Sequence, residues 1–112
     1  TNKGILMRLQ EIDAQELATL LNTNENIHLI DVRNHNEIIQ GQLAKAKHLP
    51  LHLLPLKMID IPKNDKVIFY CHSGARSAQA CSFLNAKGHD NVINLRGGIL
   101  NWARNGLPIT QH

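Results

Sequence analysis

Cys71 closes the apolar run Val67-Ile68-Phe69-Tyr70 and opens His72-Ser73-Gly74-Ala75-Arg76-Ser77, a small polar turn that leads into a helical pattern. A cysteine between the carboxyl end of a strand and the N-terminus of a helix lies where backbone N–H groups lack partners and the helix dipole is positive. Both features favour the thiolate. In such surroundings, or beside cations, cysteine pKa values fall from about 8.5 to roughly 3.5–7.5. Arg76 adds a permanent positive charge, and Ser73 and Gly74 are small enough for the loop to curl until its amides converge on one point. This arrangement suits a nucleophile that attacks an anionic substrate: the amides and Arg76 hold the anion while the thiolate takes one atom from it. The competing reading is an inert cysteine packed as a small hydrophobe at a strand end. The Ser73-Gly74-Ala75-Arg76-Ser77 continuation favours the nucleophile.

The elements that must position this loop follow from patterning. Asp13 with Glu16 three residues on is a capping-box arrangement, which predicts a helix to about Leu21. Residues 22–26 read as a loop, and Ile27 to Val32 as a short buried strand with a polar exit. Asn34 to Gln40 can form a short helix stopped by Gly41. Ala46 to Leu49 is a weak strand ended by Pro50, and Pro55 limits any helix over Leu51 to Met58 to a turn or two. Asn64-Asp65-Lys66 makes a turn before the strand Val67 to Tyr70. Ala75 to Lys87 reads as a helix closed by Gly88, Val92 to Leu95 as another strand, and Gly97-Gly98 as the start of a helical turn through Trp102. Strands alternating with helices predict an α/β fold with a parallel sheet covered on both faces, and ligands in such sheets bind at the carboxyl ends of the strands.

Composition bounds the answer without specifying it. The 112 residues fit one compact domain, with a core expected over about 12–109. Hydrophobic residues make up 43% and charged residues 19%, which excludes intrinsic disorder. The formal charge of +3 is spread along the chain, and four aromatic residues supply no stacking platform, so nucleic acid is not an expected partner. A mild attraction for small anions is. No apolar run approaches the roughly 20 residues that span a bilayer, and the N-terminus shows no positive segment followed by a long apolar one. Two cysteines are too few for a disulfide scaffold, so a reduced, cytoplasmic setting is expected.

Beyond the cysteine loop, Ile30-Asp31-Val32-Arg33 with Glu37, Gly41 and Leu49-Pro50, and Leu95-Arg96-Gly97-Gly98-Ile99 with Trp102 and Gly106-Leu107-Pro108, resemble the two halves of the rhodanese-like sulfurtransferases. The resemblance runs over roughly Ile12 to Ile109. It implies a three-layer fold around a five-stranded parallel sheet, with Cys71 as the catalytic cysteine and His72, Ser73, Gly74, Ala75, Arg76 and Ser77 binding the donor. It implies thiosulfate sulfurtransferase chemistry: the Cys71 thiolate takes the outer sulfur of thiosulfate, sulfite leaves, and the persulfide passes its sulfur to cyanide, a thiol or a protein acceptor. No cofactor or metal is needed, because persulfidation is a reversible cap on cysteine. Two readings compete. One is a rhodanese-like module that binds, senses or carries sulfur as a piece of a larger protein. The other is a cysteine phosphatase or arsenate reductase of related fold, whose loop is longer by one residue than the four residues separating Cys71 from Arg76 here. Two positions depart from the family pattern. Gln42 stands where a histidine is usual, and the glycine usual near Lys45 is missing, so a different turn is expected before the third strand.

Other residues invite functional readings that structure explains better. Asp31 and Arg33 are expected to form a structural ion pair or to brace a loop, and Glu37 is expected to do the same, with Arg33 as its partner. Arg96 stands near the rim of the pocket or in solvent. His72 either draws anions to the mouth when protonated or simply faces solvent. Cys81 is expected in the core of the helix after the loop. To resolve a Cys71 disulfide it would have to come within about 7 Å between Cα atoms, and a helix leading away from the loop prevents that. His48 and His52 have i,i+4 spacing, but Pro50 between them breaks the helix that a metal site would need. Trp102 is expected to anchor the last helix.

Overall fold

The computed structural model describes residues 9–23 and 25–111; Asn24, in the expected 22–26 loop, and the two chain ends lie outside the described residues. Five strands, β1 (Glu11–Ile12), β2 (Ile27–Asp31), β3 (Lys47–His48), β4 (Lys66–Tyr70) and β5 (Val92–Leu95), form one sheet in the order β1-β5-β4-β2-β3. Every pairing within it is parallel. The helices are α1 (Ala14–Leu21), α2 (His35–Ile38), α3 (Leu54–Lys57), α4 (Ala75–Ala86) and α5 (Gly98–Arg104), with 3₁₀ turns at Leu51–Leu53 and Met58–Asp60 on either side of α3.

The central strand explains the two covered faces. Along β4 the side chains alternate, as the two-residue period of a strand requires. Val67, Phe69 and Cys71 join Ile30, Val32, Leu54, Ala80, Cys81 and Leu84 on the face packed by α3 and α4. Ile68 and Tyr70 join Ala14, Leu17, Ile99 and Trp102 on the face packed by α1 and α5. Val67, Ile68, Phe69 and Tyr70 are all 0% exposed, so an unbroken apolar run reads correctly as a strand buried on both sides. Each such side chain contributes about 1.5–3 kcal/mol by leaving water.

Local signals set the ends of the elements. The capping box at α1 forms as the pattern predicts: the Asp13 carboxylate accepts the Glu16 N–H at 2.8 Å and the Glu16 carboxylate accepts the Asp13 N–H at 2.9 Å. Helix α4 ends one residue earlier than expected, ahead of Gly88 in the left-handed region at φ 96°, and α5 runs two residues past Trp102. Pro55 lies in the first turn of α3, where its missing N–H costs nothing.

The sheet has the five parallel strands that the family resemblance implies, whereas patterning alone gives four, because β1 is two residues long and runs directly into the capping box. It is an edge strand, held by β5 with Glu11 opposite Asn94. In the turn before β3, Lys45 has φ 67°, the one positive φ outside glycine among the described residues. Gln42 joins the neighbouring backbone by an antiparallel bridge to Thr110, with N···O distances of 2.9 and 2.8 Å.

Candidate active site

β4 delivers Cys71 to the carboxyl end of the sheet, and the loop 71–76 then turns back over it into α4. The loop rests on the N-terminus of α5. The Ile99 N–H donates to the Cys71 carbonyl at 2.9 Å and the Leu100 N–H to the His72 carbonyl at 3.0 Å. Because a trans peptide sets its C=O and N–H on opposite sides, pulling these two carbonyls down onto α5 turns the amides of His72 and Ser73 the other way. Gly98 permits this approach. It has φ 59°, and a Cβ there would collide with the carbonyl oxygens of Cys71 and His72. Gly74, at φ 105°, forms the last corner and caps α4.

The sulfur is surrounded by donors. The Gly74 N–H donates to Cys71 Sγ at 3.1 Å and the Ser77 N–H at 3.4 Å, and the Ser77 hydroxyl lies 3.5 Å away. Burial pushes the Cys71 thiol up, but donation from the Ser77 hydroxyl, the Ser77 and Gly74 amides and the Ser73 amide outweighs it, and the pKa falls below its ordinary value. Cys71 is only 1% exposed, so a reactant must enter through the loop opening, where His72, Ser73 and Ala75 are exposed. A groove of about 470 Å³ lined by Leu51, Leu54, Pro55, Ala78 and Phe83 meets this opening at Ala75, but Cys71 is not part of its lining.

The loop residues take different places around the sulfur. His72, Ser73 and Ala75 form the rim, and Gly74 contributes backbone. Ser77, expected among the residues that contact the donor, is instead 0% exposed and lies beneath the sulfur. Arg76 has a partner in α2: its Nη1 and Nη2 donate to the two carboxylate oxygens of Glu37 at 2.7 and 2.8 Å, which uses two of the five guanidinium N–H donors. The same geometry corrects the partner expected for Glu37, which is Arg76 and not Arg33. The Arg76 hydrogen bonds draw the Glu37 carboxyl down to about 2 against the opposing effect of burial. The fork of a guanidinium fits a carboxylate bidentately, and the pair ties the loop helix to α2.

Arg33 is fully engaged elsewhere. It forms a buried pair with Asp31, Nη2 to Oδ2 at 2.8 Å and Nε to Oδ1 at 3.0 Å, and donates to the Gly41 carbonyl at 2.7 Å. This bracing ties the exit of β2 to the end of α2. Arg96 is paired with Glu11 at 3.4 Å. His48 lies 2.6 Å from the Arg33 carbonyl through Nε2. Trp102 is 4% exposed and donates its indole N–H to the Pro108 carbonyl at 2.8 Å. Cys81 is 0% exposed, and burial pushes its thiol up to about 12.

Asn94 and Glu11 escape the sequence reading. Asn94, 1% exposed on β5, lies 2.5 Å from the Ser77 hydroxyl through Oδ1, and its Nδ2 donates to Glu11 at 2.9 Å. The available signal was a polar amide inside the otherwise apolar strand Val92-Ile93-Asn94-Leu95. A buried amide requires partners, and here it finds them under the cysteine loop.

A parallel α/β sheet with an amide-lined cysteine loop at its carboxyl edge, placed over a glycine-opened helix, defines the class. The chain matches the rhodanese-like domain family over residues 13–105 and belongs to it. It is 50% identical to a protein of Allochromatium vinosum named sulfurtransferase, over 90% of this chain and 94% of that one. It is 31% identical to the tRNA uridine(34) hydroxylase of Erwinia tasmaniensis over 88% of this chain but only 31% of that protein. Among solved structures, the rhodanese-related protein of Thermoplasma volcanium superposes with a TM-score of 0.84 at 29% identity, covering 92% of this chain and 99% of that one. Among the described residues no helix is long and apolar enough to cross a membrane.

Proposed function

We propose that the protein is a sulfurtransferase that carries sulfane sulfur as a persulfide on Cys71, with thiosulfate as a competent donor and cyanide or a thiol as acceptor. The observation that carries this reading is the convergence of the Gly74 and Ser77 amides and the Ser77 hydroxyl on Sγ. Those donors favour the thiolate that attacks the sulfur donor and is released again when the sulfur is passed on. In the first step the Cys71 thiolate attacks the outer sulfur of thiosulfate. A bond forms between the two sulfurs, the S–S bond of thiosulfate breaks, and sulfite departs with its electron pair. In the second step the acceptor's carbon or sulfur attacks the terminal persulfide sulfur, and the Cys71 thiolate is released. The loop amides and the N-terminal end of α4 meet the anion, and Arg76 braces the loop through Glu37.

The four residues between Cys71 and Arg76, one fewer than in a phosphatase loop, make a tighter cradle and weigh against phosphoryl chemistry. Thiocyanate production from thiosulfate and cyanide tests the reading. Activity in the native protein that disappears in Cys71→Ser is expected; undiminished activity in Cys71→Ser would overturn it. A second reading, a carrier that hands sulfur to a protein partner, is supported by a Bacillus subtilis relative named a putative sulfur carrier protein, 27% identical, of which this chain covers 51%. It predicts slow turnover with cyanide and rapid transfer from the loaded protein to its acceptor.

A further inference from the structure

The geometry points to Asn94, pinned by Glu11, as a positioning residue that gives the Ser77 hydroxyl an alternative acceptor, so that its one hydrogen follows the charge on Cys71. The inference rests on the reading of Cys71 as the reactive sulfur, and needs no particular sulfur donor.

The chain of contacts runs from the surface to the sulfur. Glu11 Oε2 accepts from Asn94 Nδ2 at 2.9 Å, and the Gly74 carbonyl lies 3.4 Å from the same nitrogen. A carboxylate and a carbonyl can only accept, so the NH₂ end of the amide must face them and Oδ1 must face Ser77. Asn94 Oδ1 is 2.5 Å from Ser77 Oγ. The hydroxyl has one hydrogen and three acceptors in reach: Asn94 Oδ1 at 2.5 Å, the Gly74 carbonyl at 3.2 Å and Cys71 Sγ at 3.5 Å. When the sulfur is a neutral thiol, the shortest contact directs the hydrogen to Asn94 Oδ1 and an oxygen lone pair faces the S–H. When the sulfur is a thiolate, charge assistance draws the hydrogen across to it. Asn94 therefore stabilises the neutral state of Cys71, and Ser77 can serve both states because its oxygen donates in one and accepts in the other.

The consequence has a counterintuitive sign. Removing Asn94 deprives the neutral sulfur of its arrangement and leaves the hydroxyl to the thiolate, so the Cys71 thiol becomes more acidic. The charged groups packed around Cys71 are Arg76 and His72 on its own loop and helix, Glu37 on α2, the Asp31–Arg33 pair after β2, and Glu11 with Arg96 behind Asn94. Asn94→Leu changes none of these charges, and the one contact it removes among them is the Nδ2 donation to Glu11. The amide and the leucine side chain are also similar in size, which limits repacking.

The test is the pH dependence of Cys71 alkylation by iodoacetamide, resolved from Cys81 by peptide mass spectrometry. It is run on the native protein, Asn94→Leu, Ser77→Ala and the double variant. Asn94→Leu is expected to move the profile to lower pH by about half a unit or more, the scale of one net hydrogen bond. Ser77→Ala is expected to move it to higher pH, and adding Asn94→Leu to Ser77→Ala is expected to change nothing further. An unchanged or upward profile in folded Asn94→Leu would overturn the inference, as would an equal downward shift in the Ser77→Ala background. If Asn94→Leu fails to fold, Glu11→Ala replaces it, because Glu11 lies at the surface and the loss of its carboxylate leaves the amide without its acceptor and unpins it. A smaller downward shift that vanishes with Ser77→Ala supports the inference, and one that persists attributes the effect to charge alone and overturns it. Alkylation reads the sulfur directly, so a failure here is separate from a failure of sulfur transfer.

Discussion

Cys71 and Cys81 are ten positions apart in the chain and are both closed to solvent, at 1% and 0% exposure. Both pack in the same apolar cluster beneath α4. Their thiols nevertheless move in opposite directions, Cys71 below its ordinary pKa and Cys81 up to about 12. Burial opposes ionisation at both sites, so burial is not the source of reactivity. The difference lies in the backbone: around Cys71 the chain is turned so that unpaired amides meet the sulfur, whereas around Cys81 the helix has used its amides internally. Accessibility alone would have classed the two cysteines together.

This contrast can be broken at several points. The largest effect is expected from Gly98→Ala. A methyl group there collides with the carbonyls of Cys71 and His72 and sits at positive φ, which should cost about 2–4 kcal/mol by thermal unfolding. Cys71 should become less acidic at the same time, because the loop loses the support that aims its amides, and its alkylation at neutral pH should slow. A variant that keeps native stability and alkylation rate would show that α5 does not set the loop.

Cys81→Ser addresses the other member of the comparison. A hydroxyl among apolar neighbours should cost about 1–2 kcal/mol, the lower end of a buried polar penalty, because serine can bond the carbonyl four residues back in the helix. The alkylation profile of Cys71 should be unchanged.

Glu37→Gln removes the brace without touching either cysteine. The Glu37 carboxyl is held near 2, against an ordinary value of 4.5. A depressed acid stabilises the fold above its unfolded pKa, and that stability is lost as pH falls through the folded one. The native protein should therefore lose about 1 kcal/mol between roughly pH 5 and pH 2, discounted because both partners of the pair are partly solvated, and Glu37→Gln should lack this component of the slope. Identical acid titrations of stability would contradict the assigned pair.

The smallest effect is at a distance from both cysteines. Lys45→Gly relieves a left-handed backbone, at φ 67°, but loosens the unfolded chain, and the net should be stabilising by about 0.5 kcal/mol or less with no change in alkylation.

How much of this was legible in the sequence depended on how local the signal was. β4, the α1 capping box, the Gly88 stop and the placement of Cys71 at a strand end all rest on neighbours in the chain, and patterning alone reads them. β1 was not visible as a strand, because two residues carry no periodicity and only pairing with β5 defines them. The partner of Glu37 depended on where α2 sits against α4, thirty-nine residues further on, and sequence proximity pointed to Arg33 instead. Asn94 and Glu11 come together with Ser77 only through the register of three elements far apart in the chain, and the one local hint was an amide in an apolar strand.

The central claim is that donors aimed at Cys71, and absent at Cys81, make one of two buried cysteines a sulfur carrier. Peptide-resolved mass spectrometry after incubation with thiosulfate tests it most directly. The account predicts one added sulfur atom on Cys71, removed by cyanide, with Cys81 unmodified and the same result in Cys81→Ser. Sulfur on Cys81, or a folded protein that gains none at Cys71, would contradict it.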